Sequence, residues 1–284
     1  MMRQEREQDL RTVGASHPAV YWCALVANAA LGVWLVALPL DLVPGPNENS
    51  LARTPGAVAC VAAGVLWLTV TASFHAHYLR RPVDRPGAVT VGEADGEPAV
   101  VLAWRTTFHR QPLYAAAVTV LLAVLLALVL RSGGTQVWWA SLVVVLPVLL
   151  LVPNALLRLQ RTPRLVLTPD GVGVDGLDGD AWLDWADVRD VEVEHVEQWA
   201  VVRIRGAARS PSWRSRAHRR LFGAARPGTP CLEVPGPAFP VDPRPVLAAV
   251  ELYRAVPAAR AELSGDAGRR RVLGELPDGG ATRS

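Results

Sequence analysis

The chain has 284 residues, a formal net charge of +3 and 51% apolar residues, and its mean hydropathy of +0.22 is only slightly positive. These values exclude a chain made wholly of membrane helix and leave room for a water-soluble part. A net charge this small excludes any argument from overall charge, so the distribution of charge has to carry it. All 29 basic residues are Arg and none is Lys, which together with abundant Ala, Val, Gly and Pro reads as the codon bias of a GC-rich bacterial genome.

Residues 1–17 mix Arg with Glu and Asp without apolar periodicity and are expected to form a disordered cytoplasmic arm. Four apolar runs follow, at 18–40, 56–79, 113–130 and 137–159. A hydrocarbon core of about 30 Å takes about 20 residues of helix, so each run can cross it once. The first, broken only by Asn28, exceeds the roughly 7 to 15 residue core of a secretory signal and reads as a retained helix. The last two are joined by the polar turn RSGGTQ and form a membrane hairpin. Together 18–159 is a four-helix membrane domain.

Arg80, Arg81, Arg85, Arg105 and Arg110 crowd the connection between the second and third runs, and Arg158, Arg161 and Arg164 follow the fourth. The other two connections carry only Arg53 and Arg131. Positive charge stays inside, so both termini are expected in the cytoplasm of a bacterium whose plasma membrane the chain crosses. Tyr21, Trp22, Trp138 and Trp139 near the helix ends fit the interfacial preference of amphipathic rings. Asn28, Thr69, Thr71, Ser73, Thr119, Ser141 and Asn154 are uncharged, and interhelical or backbone hydrogen bonding is the expected role. With no acid or Arg deep in a span, an ion or proton pathway lacks its usual groups.

No metal or cofactor site is expected. His75 and His77 stand two apart, so on a helix they diverge rather than chelate. Cys23 and Cys60 are placed near opposite membrane faces, beyond disulfide reach, and Cys231 is expected as a free thiol.

Within 80–112, Ala88 to Val91 and Ala99 to Trp104 flank the turn-forming GEADGEP and predict a β-hairpin. A lone hairpin is marginal in water and needs support, for which the domain after the fourth helix is the obvious candidate. That domain spans 160–263. Strands are expected at Arg164 to Thr168, Val172 to Val174, Ala181 to Trp185, Val188 to Val193, Trp199 to Arg205 and Thr229 to Val234. Asp242 as N-cap and Pro243 at the first turn open a terminal helix whose Leu247 and Val250 are expected to cover the sheet. Trp185 and Val188 are the expected sheet core, and 264–284 a disordered tail.

The sequence LVLTPDGVGVDG, then AWLDWADVRDVEVE, then VVRIR and the C-terminal helix resemble the bacterial pleckstrin-homology-like (PH-like) domains attached to membrane helices. The resemblance covers about Arg161 to Leu263. It implies an α+β domain, a curved antiparallel sheet closed by a helix, without catalytic residues and without a defined lipid-binding motif. The long stretch between Gly206 and Pro230 departs from a compact example.

Asp170 to Glu197 holds ten acids and one Arg, whereas Arg203 to Arg226 holds eight Arg and no acid, so the two are expected on electrically opposite faces. Arg203, Arg205, Arg209, Arg214, Arg216, Arg219, Arg220 and Arg226, interleaved with Trp213 and Phe222, form the expected contact with anionic headgroups or an unidentified protein partner. Nucleic acid is disfavoured because no reading motif accompanies the arginines. No phosphate loop, GxSxG or HExxH occurs, and the chain is not expected to be an enzyme. The expected role is a non-catalytic interaction or scaffold module on a multi-pass membrane anchor, touching anionic lipid; the alternative is a membrane-bound enzyme or a transporter accessory subunit.

The charge asymmetry fixes a topology test. With both termini cytoplasmic, a reporter Cys at Gly133 reacts with an impermeant thiol reagent in intact cells and one at Gly279 only after permeabilisation. The reverse pattern contradicts the orientation.

Overall fold

The computed structural model describes residues 18–40, 55–76, 83–132, 160–196, 199–218 and 229–276, with isolated positions between 139 and 157. The chain divides into two compact units. One comprises His17–Arg80 with Arg110–Leu157; the other combines Met1–Ser16, Arg81–His109 and Arg158–Ser284.

In the apolar unit, α1 (Pro18–Ala37) and α2 (Pro55–Phe74) run as an antiparallel pair, with Tyr21 at the start of one stacked 5.9 Å from Phe74 at the end of the other. Glycine sets how closely they approach. A Cβ on Gly64 would lie 2.6 Å from Val36 Cγ2 and 2.9 Å from the Gly32 carbonyl, so neither helix could carry a larger residue there without moving apart. Beside this contact the Cys60 thiol donates to the Leu35 carbonyl at 3.3 Å. Polar groups of these helices turn back on their own helix: Asn28 donates to Ala24, Thr69 to Val65 and Thr71 to Trp67.

Among the described residues two helices are long and apolar enough to cross a membrane, Pro18–Ala37 and Ala57–Phe74, rather than the expected four. The third run lies in α3 (Thr106–Ser132), which starts well before Leu113, and its apolar stretch is shorter, Ala116–Leu128. Hydropathy marks where a helix becomes apolar, not where its hydrogen bonding begins. The fourth run, 137–159, falls largely outside the described residues, as do 1–17, the linker 41–54 and His77.

In the other unit, two antiparallel sheets face each other. The larger has the order β1-β2-β3-β4-β5-β8, made of β1 (Val89–Ala94), β2 (Glu97–Ala103), β3 (Arg164–Leu167), β4 (Gly171–Asp175), β5 (Gly179–Asp184) and β8 (Arg214–Ala217). The smaller is β6-β7-β9, made of β6 (Val188–Val196), β7 (Trp199–Gly206) and β9 (Cys231–Pro235). β1 and β2 turn on Asp95 and Gly96 with φ of 52° and 85°, the positive angles that a two-residue hairpin turn demands. The hairpin is not isolated: β2 pairs with β3 across an interval of about sixty residues, in the register Val100↔Leu167 to Ala103↔Arg164.

Strand alternation then sorts the faces. Val100, Leu102, Leu165, Leu167, Val172, Leu183, Val202, Ile204, Leu232 and Val234 are all buried and fill the space between the sheets. Trp185 sits in a 3-10 turn at the corner where β5 leads into β6, only 2% exposed. Its indole N–H donates to the Thr168 carbonyl at 2.8 Å, and its ring lies 6.0 Å from Tyr253. Val188 is buried behind it.

Helix α4 (Pro243–Ala255) opens as its sequence dictates, with the Asp242 carboxylate accepting from the Arg244 amide at 3.0 Å. Its buried face is Val246, Ala249, Val250 and Tyr253, spaced i, i+3, i+4 and i+7; Leu247 is half-buried on the flank. The domain does not stop at Leu263. A 3-10 segment, Pro257–Ser264, leads to α5 (Asp266–Val272), and both Leu263 and Val272 are fully buried in the same core. Gly274, at φ 75°, closes α5: its amide donates to Arg271 and the Glu275 amide to Arg270, the paired bonds of a Schellman cap. Glu262 and Arg271 meet in a two-pronged ion pair of 2.5 and 2.7 Å, which holds the Glu262 carboxyl below its ordinary range. Burial pushes the neighbouring Tyr253 phenol up.

Deleting a buried large ring costs about 3–5 kcal/mol, so Trp185→Ala should unfold this unit in the intact chain. Its thermal midpoint in detergent, followed by near-ultraviolet circular dichroism, should fall by well over 5 °C or vanish. An unchanged midpoint contradicts the core assignment.

Candidate functional site

The acids of β6 and the arginines of β7 do not lie on opposite faces. Antiparallel pairing sets Glu192 opposite Arg203 and Asp190 opposite Arg205, and on the far side of β7 Arg203 lies opposite Glu233 of β9. Arg203 pairs with Glu194 and, at 2.9 Å, with Glu233; Arg205 pairs with Glu192 and, at 3.4 Å, with Glu194. Segregation along the chain became neighbouring strands in space, where opposite charges attract. Arg203 is therefore offset by acids on both flanks and Arg205 by two acids of β6, with Cys231 opposite it on β9. Cys231, half-buried at the start of β9, has its thiol pushed up by burial and by Glu233, so it stays protonated at neutral pH.

The basic stretch that follows is not one irregular loop. Ser212 anchors its first part, accepting from the Asp184 amide at 3.2 Å and donating from its own amide and hydroxyl to the Asp187 carboxylate. Trp213 is half-buried against the core and Arg209 is exposed in the preceding turn. Arg214–Ala217 then pairs with β5 as an edge strand, Arg214 opposite Trp182 and Arg216 opposite Asp180. RSRA has no β-branched residue, which is why propensity alone passes over it. Arg219, Arg220, Phe222 and Arg226 lie outside the described residues.

This edge overlooks a shallow cleft of about 650 Å³ on the outer face of the larger sheet. Its floor is Trp182, whose indole lies flat across β4; a Cβ on Gly171 or Gly173 would come within 2.7 Å of it. The alternation Gly171-x-Gly173 opposite a Trp is the signal that sequence reasoning missed. Trp182 donates to Asp184 at 2.8 Å and carries the Arg214 guanidinium 5.9 Å from its ring centre. Asp95, Glu97, Asp170 and Asp175 rim the cleft with Arg164 and Arg216; Arg164 and Asp175 pair at 2.5 Å, and His218 meets Asp180 at 2.8 Å.

A second cleft, about 770 Å³, is lined by Trp104, Phe108, Trp199, Trp213 and Leu177. Phe108 is the centre of its aromatic wall, 6.4 Å from Trp104 and 6.0 Å from Trp199, both edge-on. These rings come from the hairpin exit, the start of α3, β7 and the loop before β8, so no local pattern announces them.

Among the described residues no group of three or more His, Cys, Asp or Glu is arranged to hold a metal ion. Arg164 pairs with Asp175 in the first cleft and Arg203 with Glu233 in the second. Comparison with protein-family models, with curated proteins and with solved structures finds no match to this chain.

Proposed function

We propose that this chain is a multi-pass membrane protein of a bacterial plasma membrane and that its two-sheet, helix-closed unit is a PH-like, non-catalytic interaction module on the cytoplasmic side. The observation that carries the anchor is the surface of α1 and α2. Val20, Val26 and Val33 on one and Val58 and Val65 on the other are exposed, Val58 by 72%, on helices with no charged residue. Apolar all round, such helices call for hydrocarbon as their surroundings. Helix α3 and the run 137–159 supply the third and fourth crossings in this reading.

Within the proposed contact with anionic headgroups, Arg203 and Arg205 are taken up by carboxylates, which leaves Arg209, Arg214 and Arg216 among the described residues together with Arg219, Arg220 and Arg226. Each exposed Arg near an anionic leaflet contributes roughly 1 kcal/mol, a contribution that salt screens over a Debye length of about 8 Å.

Both parts can be tested on the full chain. It should stay with the membrane pellet through alkaline carbonate, and release into the supernatant contradicts the anchor. With the native cysteines replaced by Ala and a polarity-sensitive dye on Ser215→Cys, emission should shift to the blue in nanodiscs containing anionic lipid but not in neutral ones. Changing Arg209, Arg214, Arg216, Arg219, Arg220 and Arg226 to Ser, or adding salt, should abolish the shift. No shift in anionic nanodiscs removes the lipid contact from the proposal and leaves the anchor standing.

A further inference from the structure

The apolar run that opens at Leu113 does not start its own helix. α3 begins at Thr106, and its first turns, TTFHRQP, lead without a break into a stretch from Leu113 to Leu130 that carries no charge. From Phe108 to Leu113 is about 7.5 Å along the axis, at about 1.5 Å per residue. Tilt of the helix only shortens that distance along the membrane normal. The headgroup layer is about 5–7.5 Å deep on each side of the hydrocarbon core. With Leu113 at the hydrocarbon boundary, Phe108 therefore lies in that layer or at its outer margin.

Phe108 is not alone at this level. Trp199, the first residue of β7, meets it edge-on at 6.0 Å, and Trp104 does so at 6.4 Å. Trp199 pairs in register with Val196, the last residue of β6, and Phe108, Val196 and Trp199 are all half-buried. On α3 itself Arg110 and Tyr114 stand one turn apart on the same face, and both are exposed, Tyr114 by 59%. Aromatic rings and arginines directly ahead of an apolar run are the composition that a membrane–water interface selects.

We infer that the Phe108–Trp199 pair, with Val196, is a lipid-facing seat: the place where β6 ends and β7 begins rests in the headgroup layer of the leaflet that α3 enters. The inference depends on α3 being a membrane crossing, as proposed above. Lipid is the occupant because the ring pair and the apolar run share one helix, so whatever surrounds Leu113 begins within two turns of Phe108. The contact differs in kind from that of the arginines. It uses apolar area and rings rather than counter-charge, so it persists in neutral bilayers and in high salt.

The test uses the full chain in nanodiscs of neutral lipid, with Cys23, Cys60 and Cys231 changed to Ala and one fluorescent label per chain. The label sits on Val196→Cys at the seat or on Tyr114→Cys on α3. When the lipid headgroups carry a nitroxide quencher, both labels should lose most of their emission, at low and at high salt. Trp199→Ser should restore much of the emission at Val196, whereas Trp199→Tyr should keep it quenched. Full emission at Val196 while Tyr114 is quenched overturns the inference and leaves the crossing by α3 standing; full emission at Tyr114 overturns both. Quenching at Val196 that ignores Trp199→Ser, or that salt abolishes, overturns the inference as well.

Discussion

The pairing of β2 with β3 is the constraint on which the rest of the β unit depends. β2 comes from the connection between two apolar runs and β3 follows the last of them, yet four register pairs join them into one sheet. Val100 and Leu102 on one side of the seam and Leu165 and Leu167 on the other are all buried in a common core. Backbone bonds pin the ends of the inserted segment as well. Arg85 donates to Pro240, Trp104 to Pro163 and Arg105 to Ala238, each at 2.9 Å. A two-stranded hairpin alone is marginal in water; here it is the outer third of a six-stranded sheet. A fragment cut at residue 160 would expose the β3 edge, and one ended at Leu263 would lose the buried Val272.

Local chemistry made some of this legible. Asp-Gly between β-prone runs announced the hairpin, and Asp242-Pro243 announced the cap of α4, because both signals depend on neighbouring residues only. Trp185 read as core because an aromatic inside an alternating segment has one face to fill. The elements that escaped depend on distant partners. β8 is held by β5 and by Ser212 bonding to Asp184 and Asp187, not by its own propensity. α5 carries a readable stop, three arginines and then Gly274, but its short, charged sequence hides that Val272 fills a gap in the core. The charge blocks misled for the same reason. A run of acids followed by a run of arginines is, once folded into adjacent antiparallel strands, a ladder of ion pairs.

That ladder also limits what the surface can do. Exposed ion pairs contribute little to stability individually, but they decide which charges remain available to a partner. Arg203 and Arg205 are offset, whereas Arg209 and Arg216 are exposed; Arg214, also exposed but 3.9 Å from Asp184, lies with Arg216 along a sheet edge beside Trp182. Binding on such a surface needs no convergence of titratable groups, only an edge or a face with unmet partners. The larger sheet ends on β8, with Arg214 and Arg216, and on β1, whose Val89 carbonyl accepts from Arg269.

Native-state hydrogen exchange across the seam tests this account most directly. If β2 and β3 form one cooperative sheet, the amides of Val100 to Leu102 should exchange with the same opening free energy as those of Leu165 to Leu167, close to that of global unfolding. Trp185→Ala should lower both together. Exchange of β2 within seconds while β3 stays protected would mean that the hairpin is an appendage, and would contradict the account.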